Sequence, residues 1–166
     1  MTGMIDIPIM ISRRCEYALR ALLDLGLAKE AGRPLVRVQE IAGRERIPEK
    51  FLEQILLGLR NAGYLRSRRG RSGGYALARN PRSIRMGEVV RKVDGPLAPI
   101  SCVSRTAYAP CSCPEEDLCG VRMVMEDARN ALAASLDGWT LDAVVARTLK
   151  AYRRAGRPAP FSEKEV

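Results

Sequence analysis

Apolar residues recur along this chain at helical spacing in most places, and the stretches where that spacing fails divide it. In residues 12–28, Tyr17, Ala18, Ala21, Leu22 and Leu25 fall three and four apart, as on one buried helix face, and Ser12 is placed to cap the first turn. Gly26 inside this stretch costs about 1 kcal/mol relative to alanine and weakens it slightly. Gly32 and Pro34 end the connection, and residues 38–44 make a short helix with Ile41 and Ala42 inward. Residues 43–46 read as a turn. A stronger helix follows, with Pro48 at its first position, Glu49 in the first turn, and Phe51, Leu52, Ile55, Leu56, Leu59 and Ala62 as its apolar stripe. Gly63 is its stop.

The pattern then shortens. Residues 64–67 and 75–77 read as two short strands around a glycine-rich tip, residues 68–74. Beyond Pro81 the helical period returns over 86–93, with Val89, Val90 and Val93 on one side, until Gly95 and Pro96 break it. Residues 96–117 have no period. A long helix is predicted over 118–136, where Val121, Met125, Ala128, Leu132 and Leu136 share a face, with Gly138 as its stop. Thr140 caps a last helix carrying Leu141, Val144, Val145 and Leu149. Residues 152–166, rich in Arg, Pro, Gly and charge, predict a disordered tail.

A length of 166 residues suits one domain, or one domain with an arm, and two Phe and one Trp leave its core to Leu, Val, Ala and Ile. The net charge of +9, from 28 basic and 19 acidic residues, points to a polyanionic partner. Its placement narrows the choice. Arg68, Arg69 and Arg71 crowd the hairpin tip, with Ser72 and Gly73 beside them, instead of lining an amphipathic helix as a membrane-surface protein would require. A helix followed by a basic hairpin is the layout of a winged helix-turn-helix, with the helix in the major groove of DNA and the wing on backbone or minor groove. Glu49, Lys50 and Gln54, exposed near the start of that helix, are candidates for base contacts. Arg68, Arg69 and Arg71 are candidates for backbone positioning. Arg37 precedes the short helix where a capping Ser or Thr would be expected. It cannot accept the free N–H bonds there, so either another residue caps or Arg37 points at phosphate.

No apolar run reaches membrane-spanning length, and the first residues lack the basic start and cleavage site of a signal peptide, which predicts a cytoplasmic protein. Histidine is absent, excluding His-based acid–base catalysis and His metal ligation, and no P-loop, dinucleotide motif or nucleophile–base pair is present. Of five cysteines, Cys102, Cys111, Cys113 and Cys119 form C-x8-C-x-C-x5-C in the aperiodic segment, whereas Cys15 stands alone and reads as a small, partly buried residue. Four thiolates within reach of one point can hold a soft metal or an iron–sulfur cluster. Structural zinc usually shows two close C-x2-4-C pairs, and only one C-x-C is present. A metal-free thiol switch is the third possibility, and spacing does not decide among the three.

Several segments resemble the winged-helix transcription regulators typified by IscR, NsrR, RirA and CymR, the Rrf-two family. They are Glu16-Tyr17-Ala18-Leu19-Arg20-Ala21-Leu22, Glu40-Ile41-Ala42, Ile47-Pro48-Glu49-Lys50-Phe51-Leu52-Glu53-Gln54-Ile55-Leu56 and Gly70-Arg71-Ser72-Gly73-Gly74-Tyr75-Ala76-Leu77-Ala78. The resemblance covers about residues 11–150. It implies a mostly α fold with a small β-wing: an irregular extension over 1–11, a winged helix-turn-helix over 12–95, a cluster-binding loop over 96–117, dimerisation helices over 118–151 and a tail over 152–166. Relatives begin near Met10, so Met4 or Met10 is an alternative start. Relatives carry three cysteines in this loop, which favours an iron–sulfur cluster, either 2Fe-2S or 4Fe-4S. Cys102, Cys113 and Cys119 match the usual ligands, and Cys111 is either a fourth or a substitute for Cys113. An acidic ligand on the first helix of a partner subunit would map onto Glu16, whose plainer reading is an ion pair with an arginine.

The expected function is a sequence-specific DNA-binding regulator, most simply a repressor. It would be a homodimer on a pseudo-palindromic operator, with no membrane partner, and the cluster would control its affinity for DNA by sensing iron, redox or nitric oxide. CymR-like relatives lack a cluster, so a thiol-switched or partner-controlled regulator is the alternative. A small iron–sulfur electron carrier is the alternative of another class.

Overall fold

The computed structural model describes residues 11–162 and contains eight regular elements among them. They are α1 (Arg13–Glu30), α2 (Val38–Glu45), α3 (Glu49–Asn61), β1 (Leu65–Arg68), β2 (Gly74–Leu77), α4 (Met86–Asp94), α5 (Gly120–Gly138) and α6 (Leu141–Arg154). The extension expected over 1–11 and the alternative starts lie, except for Ile11, outside the described residues. Expected and observed elements agree in type and order throughout.

Helix α1 is the centre of the core, lying against α2, α3, α4, α6 and β2. Leu22, Leu52, Leu56, Ile41, Tyr64, Ile84, Val89 and Leu141 are fully buried around it. Ser12 caps α1 by accepting from the Cys15 N–H at 3.0 Å, and Asp94 at the end of α4 accepts from the Ser12 N–H at 2.7 Å. Burying a chain of aliphatic side chains of this size supplies most of the folding free energy, at roughly 25 cal/mol per Å² removed from water.

Glycine at position 26 has a purpose that periodicity hid. A Cβ there would stand 2.7 Å from Val145 Cγ2, so the missing side chain lets α6 lie close against α1. Leu141 and Val145 are buried in that contact, and the start of α6 is tied to the chain ahead of α4 by Leu141 N–H to Ile84 C=O at 2.8 Å and Met86 N–H to Trp139 C=O at 2.9 Å. Within the stretch 118–151 expected as dimerisation helices, α6 packs in the core of the winged domain, whereas α5 meets that core only through its second half, where Leu132 and Leu136 lie against Cys15, Val90 and Leu97.

Four further details depart from the sequence reading. Gly43 continues α2, and the chain turns over Arg46, Ile47 and Pro48, with Arg46 in the left-handed conformation at φ 52°. Leu52, Ile55, Leu56 and Leu59 of the α3 stripe are buried, but Phe51 at its edge is 40% exposed and meets Tyr17 edge-on with ring centroids 5.8 Å apart. Helix α5 starts at Gly120, since the chain through Glu116–Leu118 is a 3₁₀ turn and Cys119 is extended. The tail is ordered through the described residues. Phe161 is 9% exposed, its ring covered by the guanidiniums of Arg44 at 3.8 Å and Arg33 at 5.4 Å. Arg44 is thereby occupied, since it also donates to Asp24 Oδ1 at 2.7 Å, and Asp24 is almost fully buried. Burial pushes the Asp24 carboxyl up from its ordinary value, and the Arg44 partner works against that shift.

Candidate nucleic-acid interface and cysteine loop

The wing is held in place by backbone before any arginine is considered. Strands β1 and β2 pair antiparallel from Leu65 opposite Leu77 to Arg68 opposite Gly74. Val36, just ahead of α2, adds a third short rung: its N–H donates to Tyr75 C=O at 2.9 Å and its C=O accepts from Tyr75 N–H at 2.8 Å. Gly74 permits this approach, because a Cβ there would lie 2.6 Å from Val36 O. The unusual residue ahead of α2 now has an account. Glu40 turns back to accept from the Arg37 N–H at 3.1 Å, so the carboxylate caps the helix start, and Arg33 holds that carboxylate at 2.9 Å. The Arg37 guanidinium is free to reach the wing tip, donating to the Arg71 carbonyl at 2.7 Å.

These contacts shape a groove of about 620 Å³ between the start of α2 and the wing. Arg37, Arg60, Arg68, Arg69 and Arg71 line it, with Gln39, Ser67, Gly73 and Tyr75. Of the residues expected on the DNA side, Arg37, Arg68, Arg69, Arg71 and Gly73 come together here, and Ser72 is exposed at the tip. Glu49, Lys50 and Gln54 are exposed on α3 and do not themselves line the groove. Glu49 accepts from Gln39 Nε2 at 2.5 Å, which joins α3 to α2. Arg60 and Gln39 were not anticipated. Arg60 lies in the last turn of α3, where its bond to Ser67 Oγ at 3.3 Å orients it toward the hairpin. A cation directly ahead of a basic hairpin is the sequence signal that could have found it.

The aperiodic segment brings its four thiols into a row. Cys102 sits on the 3₁₀ turn Ser101–Val103 and is 4% exposed, Cys111 is half-buried beside it, and Cys113 and Cys119 are 3.7 Å apart at the sulfurs. The Cys102 thiol is pushed up by loss of hydration and by the neighbouring Cys111, and the Cys113 thiol is pushed up to about 12 by its hydrogen bonds to Cys111 and Cys119. Cys119 is held below its ordinary value, first by the Arg122 backbone N–H. Glu116 closes the row at its side, accepting from Tyr108 Oη at 2.9 Å and from Cys111 Sγ at 3.8 Å, with Arg122 at 3.6 Å.

Among the described residues no three Cys, Asp or Glu side chains converge tightly enough to hold a single metal ion. The donor set nevertheless fits a cluster. Two thiolates on one tetrahedral metal, each about 2.3 Å from it, stand about 3.8 Å apart, which is the Cys113–Cys119 separation. A cluster spreads its thiolates over several metal atoms, so a row of four suits it better than a single ion would. Cys15 is fully buried between α1 and α4, with its thiol pushed up to about 12 by that burial and by Asp94. Glu16 pairs with Arg20 at 3.3 Å and Arg13 at 3.5 Å.

Helix α5 leaves apolar side chains open. Leu118 ahead of it, then Val121, Met123 and Val124, are all more than half exposed. No helix among the described residues is long and apolar enough to cross a membrane.

Comparison with known proteins matches residues 11–147 to the family model Rrf2, described as an iron-dependent transcriptional regulator. An rrf2-like HTH-type transcriptional regulator of Rhodobacter capsulatus is 44% identical over 154 residues, covering 90% of this chain and 96% of that protein. Among solved structures, CymR of Bacillus subtilis, titled the global cysteine regulator, superposes with a TM-score of 0.67 at 30% identity, over 83% of this chain and 97% of that one. IscR of T. potens superposes with a TM-score of 0.65 at 28% identity, over 93% of this chain and 96% of that one.

Proposed function

Because the chain belongs to the Rrf2 family of transcriptional regulators, winged-helix proteins and not enzymes, we propose that it is a DNA-binding repressor whose affinity is set by an iron–sulfur cluster in the 102–119 loop. The observation that carries the DNA reading is the groove lined by five arginines between α2 and the wing. Arg68, Arg69 and Arg71 project from a backbone already fixed by Val36 and Arg37, so phosphate contact costs little further ordering. The exposed Lys50 and Gln54 of α3, with Glu49, Ser72 and Gly73, complete the DNA-facing set, in which α3 reads base edges and the wing sets register.

The open apolar face of α5 supports a homodimer, since a water-exposed row of Leu, Val and Met is costly unless a partner covers it. A two-fold dimer reads a pseudo-palindromic duplex, and with no membrane partner the protein acts in the cytoplasm. Cys102, Cys111, Cys113 and Cys119 are the ligand set. The cluster, when bound, supplies a redox- and iron-sensitive bond between the Cys102 turn and the residues at the start of α5. The residues of the chain do the rest. Cys119 is the residue directly before α5 and Cys102 lies across the loop, so holding both fixes the loop against that helix.

The family match sets aside the electron-carrier alternative. A second reading has one observation in its favour. Cys113 and Cys119 lie close enough for a disulfide, which a peroxide could form by taking two electrons while the two thiols release their protons. Both readings are tested by purification without oxygen, with absorbance and with iron and sulfide per chain, then operator binding before and after chelation. Stoichiometric iron and sulfide with a change of affinity on removal is the expected result. A colourless protein whose affinity changes only on reaction with peroxide would replace the cluster by the thiol switch. Absence of salt-dependent binding to any duplex would overturn the DNA reading itself.

A further inference from the structure

Helix α5 buries one residue, and it is an arginine. Arg129 is 7% exposed on a helix whose apolar side chains are open or half-buried. Its Nη2 donates to Glu126 Oε1 at 3.0 Å and to Asn130 Oδ1 at 2.7 Å, both within α5. Its Nη1 donates outward to the Val103 carbonyl. Two turns earlier on the same face, Arg122 Nε reaches the Cys102 carbonyl at 3.5 Å. Arg105 adds a weaker link at 3.3 Å to Asn130 Oδ1. The turn that carries Cys102 thus hangs from α5 at two adjacent carbonyls, each held by an arginine. Its own backbone bonds stay within the loop: Val103 N–H to Ile100 C=O at 3.3 Å, Ser104 N–H to Ser101 C=O at 3.1 Å and Ala109 N–H to Ser101 C=O at 3.4 Å.

A buried guanidinium is an expensive way to fill space, since an apolar side chain of similar volume would do so without losing hydration. What an apolar side chain cannot do is grip a carbonyl. We infer that Arg129, with Arg122, is a positioning residue that transmits the ligation state of Cys102 to helix α5. Movement of the 101–103 turn is passed to the helix through the Val103 carbonyl, one residue beyond the thiol. The shift in α5 then reaches the paired subunit. The inference rests on the cluster reading above and names the link that reading requires.

The test uses Arg129→Met, which keeps the buried volume and removes the grip, and Arg129→Lys, which keeps a charge and one donor. Iron per chain and visible absorbance are measured without oxygen. Operator affinity is then measured by fluorescence anisotropy for loaded and chelator-stripped protein, and amide exchange over 101–104 is followed in the stripped protein. The expected result is that Arg129→Met loads iron normally and binds operator in both forms, but the ratio of loaded to stripped affinity falls to within about twofold of unity. Arg129→Lys should recover part of the wild-type ratio. Exchange over 101–104 should rise about tenfold or more in Arg129→Met, because the clamp is gone whatever occupies the thiols.

An unchanged affinity ratio in Arg129→Met would overturn the inference, and so would unchanged exchange. A variant that no longer takes up iron would assign Arg129 to holding the site instead of transmitting from it, and would also overturn it. Wild-type protein that carries no iron, or whose affinity ignores it, would overturn the cluster reading and this inference together. The wild-type control therefore separates that failure from failure of the link alone.

Discussion

Replacing Arg68, Arg69 and Arg71 by alanine tests the DNA interface with the least collateral change. None of the three has an ion-pair partner among the described residues, and all three are exposed, so their loss leaves the fold intact. The brace from Arg37 survives as well, because it ends on the Arg71 carbonyl and not on its side chain. Each phosphate contact removes about 0.9 from the slope of log affinity against log salt, so three per subunit remove about 2.7, and a two-fold dimer with both wings engaged loses about 5.4. Between 50 and 200 mM salt the wild type should therefore lose about two thousandfold more affinity than the variant. The assay is a salt titration of anisotropy on operator and on random duplex of equal length. Both affinities should fall together, since backbone contacts carry no sequence. A slope change below about one unit would refute phosphate contact by the wing. An unchanged slope with lost discrimination would mean that the hairpin reads bases.

Cys102→Ala and Cys119→Ala should each abolish iron binding, since they end the thiol row. Cys111→Ala and Cys113→Ala should only weaken it, with the double change removing it, and Cys15→Ala should keep full iron. Full occupancy in Cys102→Ala would break this ligand set. Val124→Asp should leave helicity unchanged, because the site is open in one chain, yet give a monomer by light scattering that no longer binds a palindrome; a dimer would exclude α5 as the seam. Val124 is a cleaner site than Leu132, which also packs on Cys15, Val90 and Leu97 within its own chain. Phe161→Ala should cost about 3 kcal/mol, the low end for a buried phenylalanine, and lower the melting temperature by about 6–12 °C. An unchanged melting temperature would show that the C-terminal segment does not dock.

What was legible in the sequence is what local pattern carries. The α3 stripe, the Gly63 stop and the arginine tip between two strands each declare themselves within a dozen residues. The α5 face does not: Leu132 and Leu136 pack on the core, and of the open Leu118, Val121, Met123 and Val124 only Val121 lies on the face expected from the spacing. The misses share a cause: each depends on a partner distant in sequence. Phe161 looks like part of a polar tail until Arg33 and Arg44 are placed over its ring. Gly26 reads as a helix weakness until Val145 is placed against it. Nothing local to Arg44 or Arg129 announces the partners that hold them, Asp24 and the 101–103 turn. The cysteine loop was legible as chemistry and not as geometry. Four thiols in eighteen residues announce a site, but aperiodic chain fixes no distances, and only folding sets Cys113 beside Cys119.

The same distinction bears on how a signal in the loop can reach DNA. The winged surface is tied many times over: by the Val36–Tyr75 rung, the Arg37 brace, the Glu40 cap and the Asp24–Arg44 pair. Deforming one half-site would break several of these bonds at once, at roughly 1 kcal/mol or more each. The loop, in contrast, touches the rest of the chain mainly through α5, and α5 is joined to the winged core near its end, where Asp137 holds Arg91 at 2.8 Å. Under the proposed function, a change at the thiols therefore leaves each half-site intact and alters the spacing between two of them. A half-site duplex should then bind loaded and stripped protein alike, and only the full palindrome should distinguish them. A half-site that discriminates as strongly as the palindrome would place the switch inside the winged domain instead.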